Sequence, residues 1–362
     1  MASRVTSAAA DRPGRLVRLL AAWSLPWLAA AAACGYARAQ DVPAKCQLVR
    51  IAEWPVRMVR GKILLDGTIN GRKIGAVIDT GAAKTLILRS SAERLGLALK
   101  DVHGVRMYGV GGATRLQAAE LDEITLGGVT RKGMQVFVAG ENDLSSWGDL
   151  VLGEDFLGRV DVEFDLAHDA VRLFEPKGCE GVSLAYWASD GGLSVDFKPL
   201  WDVDPHIVLE VAINGMPVEA MLDSGAGISI VDSTFARRAG VAGDASTATR
   251  SDKLRGLGGQ TTDAWKATFA TFEIGSERIR DAELVVADFR RVHEERTGSH
   301  ISTTSLRIEP MVLGADFIRA HRLLVSHSKH RLYFTYVGGP VFGGTRPPAG
   351  PQGPTREREP AR

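Results

Sequence analysis

Asp79 and Asp223 stand in near-identical settings 144 positions apart. Each opens an Asp-(Thr/Ser)-Gly-Ala run, Asp79-Thr80-Gly81-Ala82 and Asp223-Ser224-Gly225-Ala226, and each follows an apolar segment. Two carboxyl groups held in contact cannot both ionise cheaply, so they share one proton and present a base beside an acid. A pair of this kind can activate water against a carbonyl carbon by general acid-base transfer.

The elements that must bring the two aspartates together are legible as an internal repeat. Asn-Gly stands nine residues before each Asp (Asn70-Gly71, Asn214-Gly215), and a glycine stands seventeen after each (Gly96, Gly240). Alternating apolar residues flank the Asn-Gly pairs: Ile63, Leu65, Ile69, Ile74 and Ile78 in the first copy, and Ile207, Leu209, Val211, Ile213, Val218 and Leu222 in the second. This pattern predicts β-hairpins, because both turn residues must accept positive φ. Each Asp then emerges at the end of a buried second strand. A short helix follows, begun near Ser90-Ser91 or Asp232-Ser233 and ended at Gly96 or Gly240. Downstream, Gly109-Val110-Gly111-Gly112 matches Gly256-Leu257-Gly258-Gly259, and VLGEDFL from Val151 matches VLGADFI from Val312. The register slips by 3 residues before the Gly-rich element and by 14 after it, and residues 290–306 hold most of the second insertion. That charged, Ser/Thr-rich stretch reads as a solvated loop or one bordering a cleft.

With these motifs the chain resembles the aspartic peptidases, especially bacterial retropepsin-like proteins with two fused lobes. The resemblance rests on the two Asp-x-Gly-Ala runs and on the apolar-Gly elements Val151-Leu152-Gly153 and Val312-Leu313-Gly314. It covers roughly residues 59–337. It implies a mainly β fold: two pseudo-twofold-related β lobes with short helices and a cleft between them. It also implies endopeptidase activity on an extended peptide, with Asp79 and Asp223 catalytic and no metal or organic cofactor. Thr80 and Ser224 would lock the two loops, and Gly81 and Gly225 would allow a sharp turn. The hairpins at 109–112 and 256–259 would act as flaps that hydrogen-bond the substrate backbone. Tyr108 becomes a cleft residue, or else packs within lobe one. Ala82 and Ala226 offer no hydroxyl to the carboxylates, which predicts a mildly acidic optimum of about pH 5 to 6.5. A noncatalytic peptide-binding module of the same shape is the alternative.

Other motifs in the chain point to different or lesser roles. Asp155 and Asp316 form a second repeated acid pair, placed where capping of the following helix is the simpler task. His293-Glu294 lacks a second histidine at position 297, so it makes no zinc-peptidase motif. Lys84 lacks the glycine a phosphate loop needs before it. Ser224 lacks the first glycine of a nucleophile elbow. Glycoside hydrolysis also uses paired acids, but sets them about 5 Å or more apart and leaves the hydroxyls of Thr80 and Ser224 without a role.

Composition bounds the remainder. The 362 residues, 45% hydrophobic and 24% charged, fit a globular protein of about two domains. Outside the first 39 residues, acids exceed Lys and Arg by three, which argues against nucleic-acid binding. Arg12, Arg15 and Arg18 precede an uncharged run from Leu19 to Cys34 and an Ala37-Arg38-Ala39 site, the pattern of a cleaved signal for export to the periplasm or beyond. The run is shorter than the roughly 20 residues a membrane span needs, so no stable insertion is expected after cleavage. Cys34 is a weaker candidate for lipid attachment. Cys46 and Cys179 form an even pair, and in an oxidising compartment a disulfide is expected. The predicted organisation is signal 1–39, N-terminal extension 40–58, lobe one 59–177, linker or bridging strand 178–202, lobe two 203–337 and a disordered Gly/Pro tail 338–362. Each chain supplies both halves of the dyad, so a monomer is expected.

Overall fold

The computed structural model describes residues 46–109, 112–140, 146–198, 205–241, 253–254, 261–289 and 309–342. The chain begins there with β1 (Gln47–Val59), β2 (Lys62–Ile69) and β3 (Arg72–Ile78), then β4 (Leu86–Leu88) and helix α1 (Arg89–Arg94). A meander of β5 (Leu99–Gly109), β6 (Gly112–Leu126) and β7 (Val129–Ala139) leads to β8 (Leu150–Leu152) and α2 (Glu154–Leu157). β9 (Asp161–Asp165) and β10 (Ala170–Lys177) form a hairpin, and β11 (Leu193–Lys198) opens the second half. There the order recurs: β12 (Val208–Ile213), β13 (Met216–Leu222), β14 (Ile230–Asp232), α3 (Ser233–Arg238), β15 (Ala264–Ile274), β16 (Glu277–Ala287), β17 (Met311–Leu313), α4 (Ala315–Ala320), β18 (His321–Ser326) and β19 (Arg331–Tyr336).

The two lobes pair their strands in the same way. β3 runs parallel to β8, β8 antiparallel to β4, and β4 parallel to β7. In the second lobe β13, β17, β14 and β16 repeat that sequence of pairings. Both Asn-Gly turns have positive φ at both residues, 49° and 75° in the first and 50° and 75° in the second, as the tight hairpin demands. Each asparagine also ties its hairpin to a neighbouring strand: Asn70 exchanges hydrogen bonds with the Glu123 backbone, and Asn214 with the Thr271 backbone. All eleven apolar residues that flank these turns in the sequence pattern are buried. They belong to one continuous apolar core shared by both lobes, which also holds Phe164, Phe317 and Phe334.

A third sheet joins the lobes in the order β1, β10, β9, β18, β19, β11. β1 runs out of it to pair with β2, and β11 runs out to pair with β12. Residues 47–58, read from sequence as an extension before lobe one, are therefore an integral strand, and residues 193–198 are a bridging strand rather than a loose linker. β1 escapes pattern reading because over most of its length its side chains alternate between exposed and half-buried, with only Trp54 and Val56 buried. Cys46 and Cys179 form a disulfide at the start of β1 and just past β10, closing the outer edge of this sheet.

The tail expectation needs correction at its first residues. Val341 and Phe342 are buried, and the Phe342 ring sits 4.8 Å from that of Phe272 and 6.2 Å from that of Phe317. Averaged composition hides one aromatic residue that can close a core. Residues 343–362, the signal segment and the 290–306 loop lie outside the described residues. No helix among the described residues is long and apolar enough to cross a membrane.

Candidate active site

Asp79 follows β3 and Asp223 follows β13, so each loop starts at the end of a strand buried against its lobe's core. The loops are locked together reciprocally. Thr80 N donates to Ser224 Oγ at 3.0 Å, and Ser224 N donates to Thr80 Oγ1 at 3.0 Å. Each hydroxyl then donates to the carbonyl before the opposite Asp: Thr80 Oγ1 to Leu222 O at 2.7 Å, and Ser224 Oγ to Ile78 O at 2.8 Å. Both residues are at most 1% exposed, so all four bonds are shielded from water.

The lock brings the carboxyl groups of Asp79 and Asp223 within hydrogen-bonding reach of one another. Gly81 and Gly225 serve this approach in a way the sequence reading did not foresee. Neither has positive φ, so no sharp turn requires glycine there. A Cβ at Gly81 would instead lie 2.5 and 2.7 Å from the two carboxyl oxygens of Asp223, and one at Gly225 would collide with the carboxyl of Asp79. Each glycine leaves room for the other lobe's acid. Gly81 N donates to Asp79 Oδ1 at 2.9 Å and Ala226 N to Asp223 Oδ1 at 2.8 Å, so each carboxyl receives one backbone N–H. Burial and then the adjacent Asp223 carboxylate push the Asp79 carboxyl up, while Lys62 opposes them.

Three further residues at the site carried no sequence motif. Lys62 and His206 each precede their Asp by seventeen positions. Lys62 Nζ donates to Gly225 O, and His206 Nε2 donates to Gly81 O at 3.0 Å, each crossing to the opposite lobe's loop. Lys62 also lies over the Trp147 ring, 4.5 Å from its centroid. Glu154 is the third, and it stands where the second copy has Ala315. Its side chain is buried facing His327 Nε2 at 3.6 Å. Burial pushes its carboxyl up to about 8, opposed by His206 and reinforced by Asp79 and Asp155. Burial and then His330 push His327 down to about 4. Reading the repeat column by column would have exposed all three, as the Lys/His and Glu/Ala mismatches in an otherwise matched register.

The N-cap positions of α2 and α4 are Gly153 and Gly314, without side-chain bonds, so Asp155 and Asp316 lie one residue inside their helices rather than at the cap, and of the two Asp316 accepts a first-turn amide, Phe317 N at 2.9 Å. Asp155 Oδ1 accepts from Thr85 N and Oγ1 at 2.8 and 2.7 Å, and Thr85 Oγ1 accepts from Gly153 N at 3.1 Å. Asp316, Ser229 and Gly314 N repeat the clamp at 2.6 to 2.9 Å. These acids hold the chain just beyond each Asp-x-Gly-Ala run against the apolar-Gly element.

At the tip of the β5–β6 hairpin, Tyr108 pairs with Ala113 and Gly109 with Gly112 through the backbone. Val110, Gly111, and Gly256, Leu257, Gly258 and Gly259 of the second proposed flap lie outside the described residues. Among the described residues no group of three or more His, Cys, Asp or Glu could hold a metal ion.

A dyad-bearing loop in each of two matching β lobes is the arrangement of an aspartic protease. Residues 65–159 match the family described as "gag-polyprotein putative aspartyl protease", and residues 209–317 match the family described as "Aspartyl protease". The chain belongs to the retropepsin-like aspartic proteases, with one such domain in each lobe. An "Uncharacterized protein in cobV 5'region" from a Sinorhizobium species is 26% identical over 118 residues, which is 32% of this chain and 49% of that protein. The chain thus spans about half the length of this curated relative. The crystal structure of a retropepsin-like aspartic protease from Rickettsia conorii is 21% identical, covering 36% of this chain and 95% of that one, with a TM-score of 0.26.

Proposed function

We propose that this chain is an aspartic endopeptidase that hydrolyses peptide bonds with a water molecule activated between Asp79 and Asp223. The observation that carries the reading is the reciprocal Thr80–Ser224 lock, which holds two carboxyl groups across gaps that only glycine leaves open. The ionised Asp takes a proton from the water as it attacks the scissile carbonyl, and the protonated Asp donates to the carbonyl oxygen. The proton gained from water then passes to the leaving amine. Transfer of this kind contributes on the order of 10² to 10⁴ in rate, and no covalent enzyme intermediate is required.

The substrate is an extended peptide laid between the lobes, with the β5–β6 hairpin and the Gly-rich segment of the second copy as its flaps. Tyr108 borders that cleft. Lobes bounded near residues 59–177 and 203–337 supply one Asp each, so a monomer is sufficient for turnover. The enzyme is exported after removal of residues 1–39, a location that the Cys46–Cys179 disulfide supports.

Cleavage of a peptide library by wild type beside Asp79→Asn and Asp223→Asn tests the proposal. Wild type should cleave, and both variants should lose at least about 10²-fold in kcat/KM. Equal cleavage by all three would place the chemistry elsewhere, and peptide binding without cleavage by wild type would favour a noncatalytic binding module.

A further inference from the structure

The acid loops match across the two lobes, but the charges flanking them do not. Lys62 and His206 occupy the same place in the two copies, seventeen positions before Asp79 and Asp223. Lys62 Nζ reaches Gly225 O, and the Gly225 backbone abuts the Asp79 carboxyl, so an ammonium stands beside the reacting groups on that flank. On the other flank His206 reaches Gly81 O at 3.0 Å, with the buried Glu154 as a charge-bearing neighbour. One end of the peptide path therefore carries a fixed cation, and the other carries an imidazole, whose charge is partial or absent above about pH 6.5.

Lys62 has binding capacity to spare. An ammonium offers three N–H donors. Among the described residues Lys62 has Gly225 O as its acceptor and no carboxylate in ion-pair contact. Its side chain is half-buried rather than sealed, and the half-buried Trp147 ring holds the ammonium from one face at 4.5 Å. Trp147 packs in one apolar cluster with Ala82, three residues past Asp79, and with Met107 of β5, the strand that leads to the first flap. Lys62 lies at the foot of that wall. On the loop it touches, Gly227 lies against Gly61, and the next residue, Ile228, is an exposed apolar side chain. An acidic side chain suits this setting, with apolar surface for its methylene stem and an ammonium for its carboxylate.

We infer that Lys62 is a specificity-determining residue that selects peptides carrying Glu or Asp close to the scissile bond, on the Lys62 flank of the dyad alone. The inference rests on the function proposed above, since it concerns the peptide that the dyad would cut. Successive residues of an extended peptide advance about 3.3 Å, so only side chains within about two residues of the scissile bond come within reach of the ammonium. On the His206 flank the same side chain meets no fixed ammonium and faces the negative charge of a singly protonated dyad. Lys84, the counterpart of Ile228, is a second cation on the first acid loop, but its side chain is exposed, where hydration and salt leave a charge little selectivity.

A randomised octapeptide library tests this in two arms. In the first, wild-type products aligned on the cleaved bond should show Glu and Asp favoured over Gln and Asn by about 5- to 20-fold at one position, on one side of that bond, a worth between that of a surface ion pair and a desolvated one. Lys62→Met should abolish the preference, as should Lys62→Gln, which keeps a donor for Gly225 O, and Lys62→Arg should retain it. The variants should lose kcat/KM on a Glu-containing peptide and far less on its Gln counterpart; equal losses on both would mark Lys62 as merely structural and overturn the inference. So would a preference for acids that survives Lys62→Gln, or none at any position. In the second arm the same library is selected for binding to the inactive Asp223→Asn chain at pH 7.5, with and without Lys62→Gln. A bound pool enriched in acids only when Lys62 is present, from an enzyme whose wild type cleaves nothing, would sink the peptidase reading and leave this recognition standing. A bound pool without that enrichment, or no binding at all, would overturn it.

Discussion

Glu163 and Leu324 stand 161 positions apart and face each other directly in the antiparallel pairing of β9 with β18. That separation is the offset between the two apolar-Gly elements, so each residue pairs with its own counterpart in the repeat. The pseudo-twofold axis relating the lobes passes between them. It emerges at Thr80 and Ser224, the repeat counterparts 144 positions apart that lock the acid loops. Insertions between the two motifs account for the change of offset.

The lock at the axis should be costly to break. Thr80→Val or Ser224→Ala removes a buried hydroxyl that both accepts an N–H and donates to a carbonyl, leaving two backbone groups without partners. Each variant should lose about 1–3 kcal/mol of unfolding free energy, read from urea midpoints. A loss below about 0.5 kcal/mol would show that water or a shifted loop replaces the bonds.

Where the dyad works on the pH scale follows from the upward shift at Asp79, caused first by burial and then by Asp223. A raised value keeps the shared proton on the pair to higher pH, and activity falls as pH rises through the point where that proton leaves. The rate should peak at about pH 5 to 6.5, above the range set by pepsin, whose dyad titrates near 1.5 and 4.7. A maximum below about pH 4 in a steady-state profile would contradict this.

Glu154 should govern how stability varies with pH. Its carboxyl is raised from 4.5 to about 8 in the folded chain, so the folded state binds the proton more tightly than the unfolded state does. The stability it contributes is complete below about pH 4.5 and is lost as pH rises through about 8. Glu154→Gln removes that slope. Relative to the variant, wild type should lose on the order of 2–4 kcal/mol between pH 5 and pH 9. Parallel stability curves would show that Glu154 is ionised and paired at neutral pH.

The two Asp–hydroxyl clamps are structural on this geometry. Asp155→Asn and Asp316→Asn should each cost about 1–2 kcal/mol of stability and change turnover less than stability. The effect should be larger for Asp316, which is buried together with its partner Ser229. A variant that keeps its thermal midpoint while losing turnover would give these acids a direct part in the reaction.

Reduction of the Cys46–Cys179 bridge opens a loop of 133 positions. The chain-entropy relation puts the loss at up to about 4 to 5 kcal/mol, visible as a lower melting temperature with reductant than without. Thiol titration of the unfolded, unreduced mature protein should find neither cysteine free.

Elements that depend on local chemistry are legible in the order of the residues. Asn-Gly fixes the hairpins because few residues accept positive φ in succession, and period-two alternation marks the buried face of β13, whereas β3 is buried on both faces from Ile74 to Ile78. The repeat also marked Asp79 and Asp223, since a duplicated run survives as a pattern of letters. What crosses the axis emerges only once the chain is folded. Lys62 and His206 sit far along the chain from the glycines they hold, and nothing in their immediate neighbours signals it. Gly81 and Gly225 are required by the opposite lobe's carboxyl rather than by their own backbone. Asp155 and Asp316 find their hydroxyl partners, Thr85 and Ser229, in a loop some 70 or more residues back. In each case the deciding force is packing or charge between segments joined by folding, a quantity that a one-dimensional pattern does not contain.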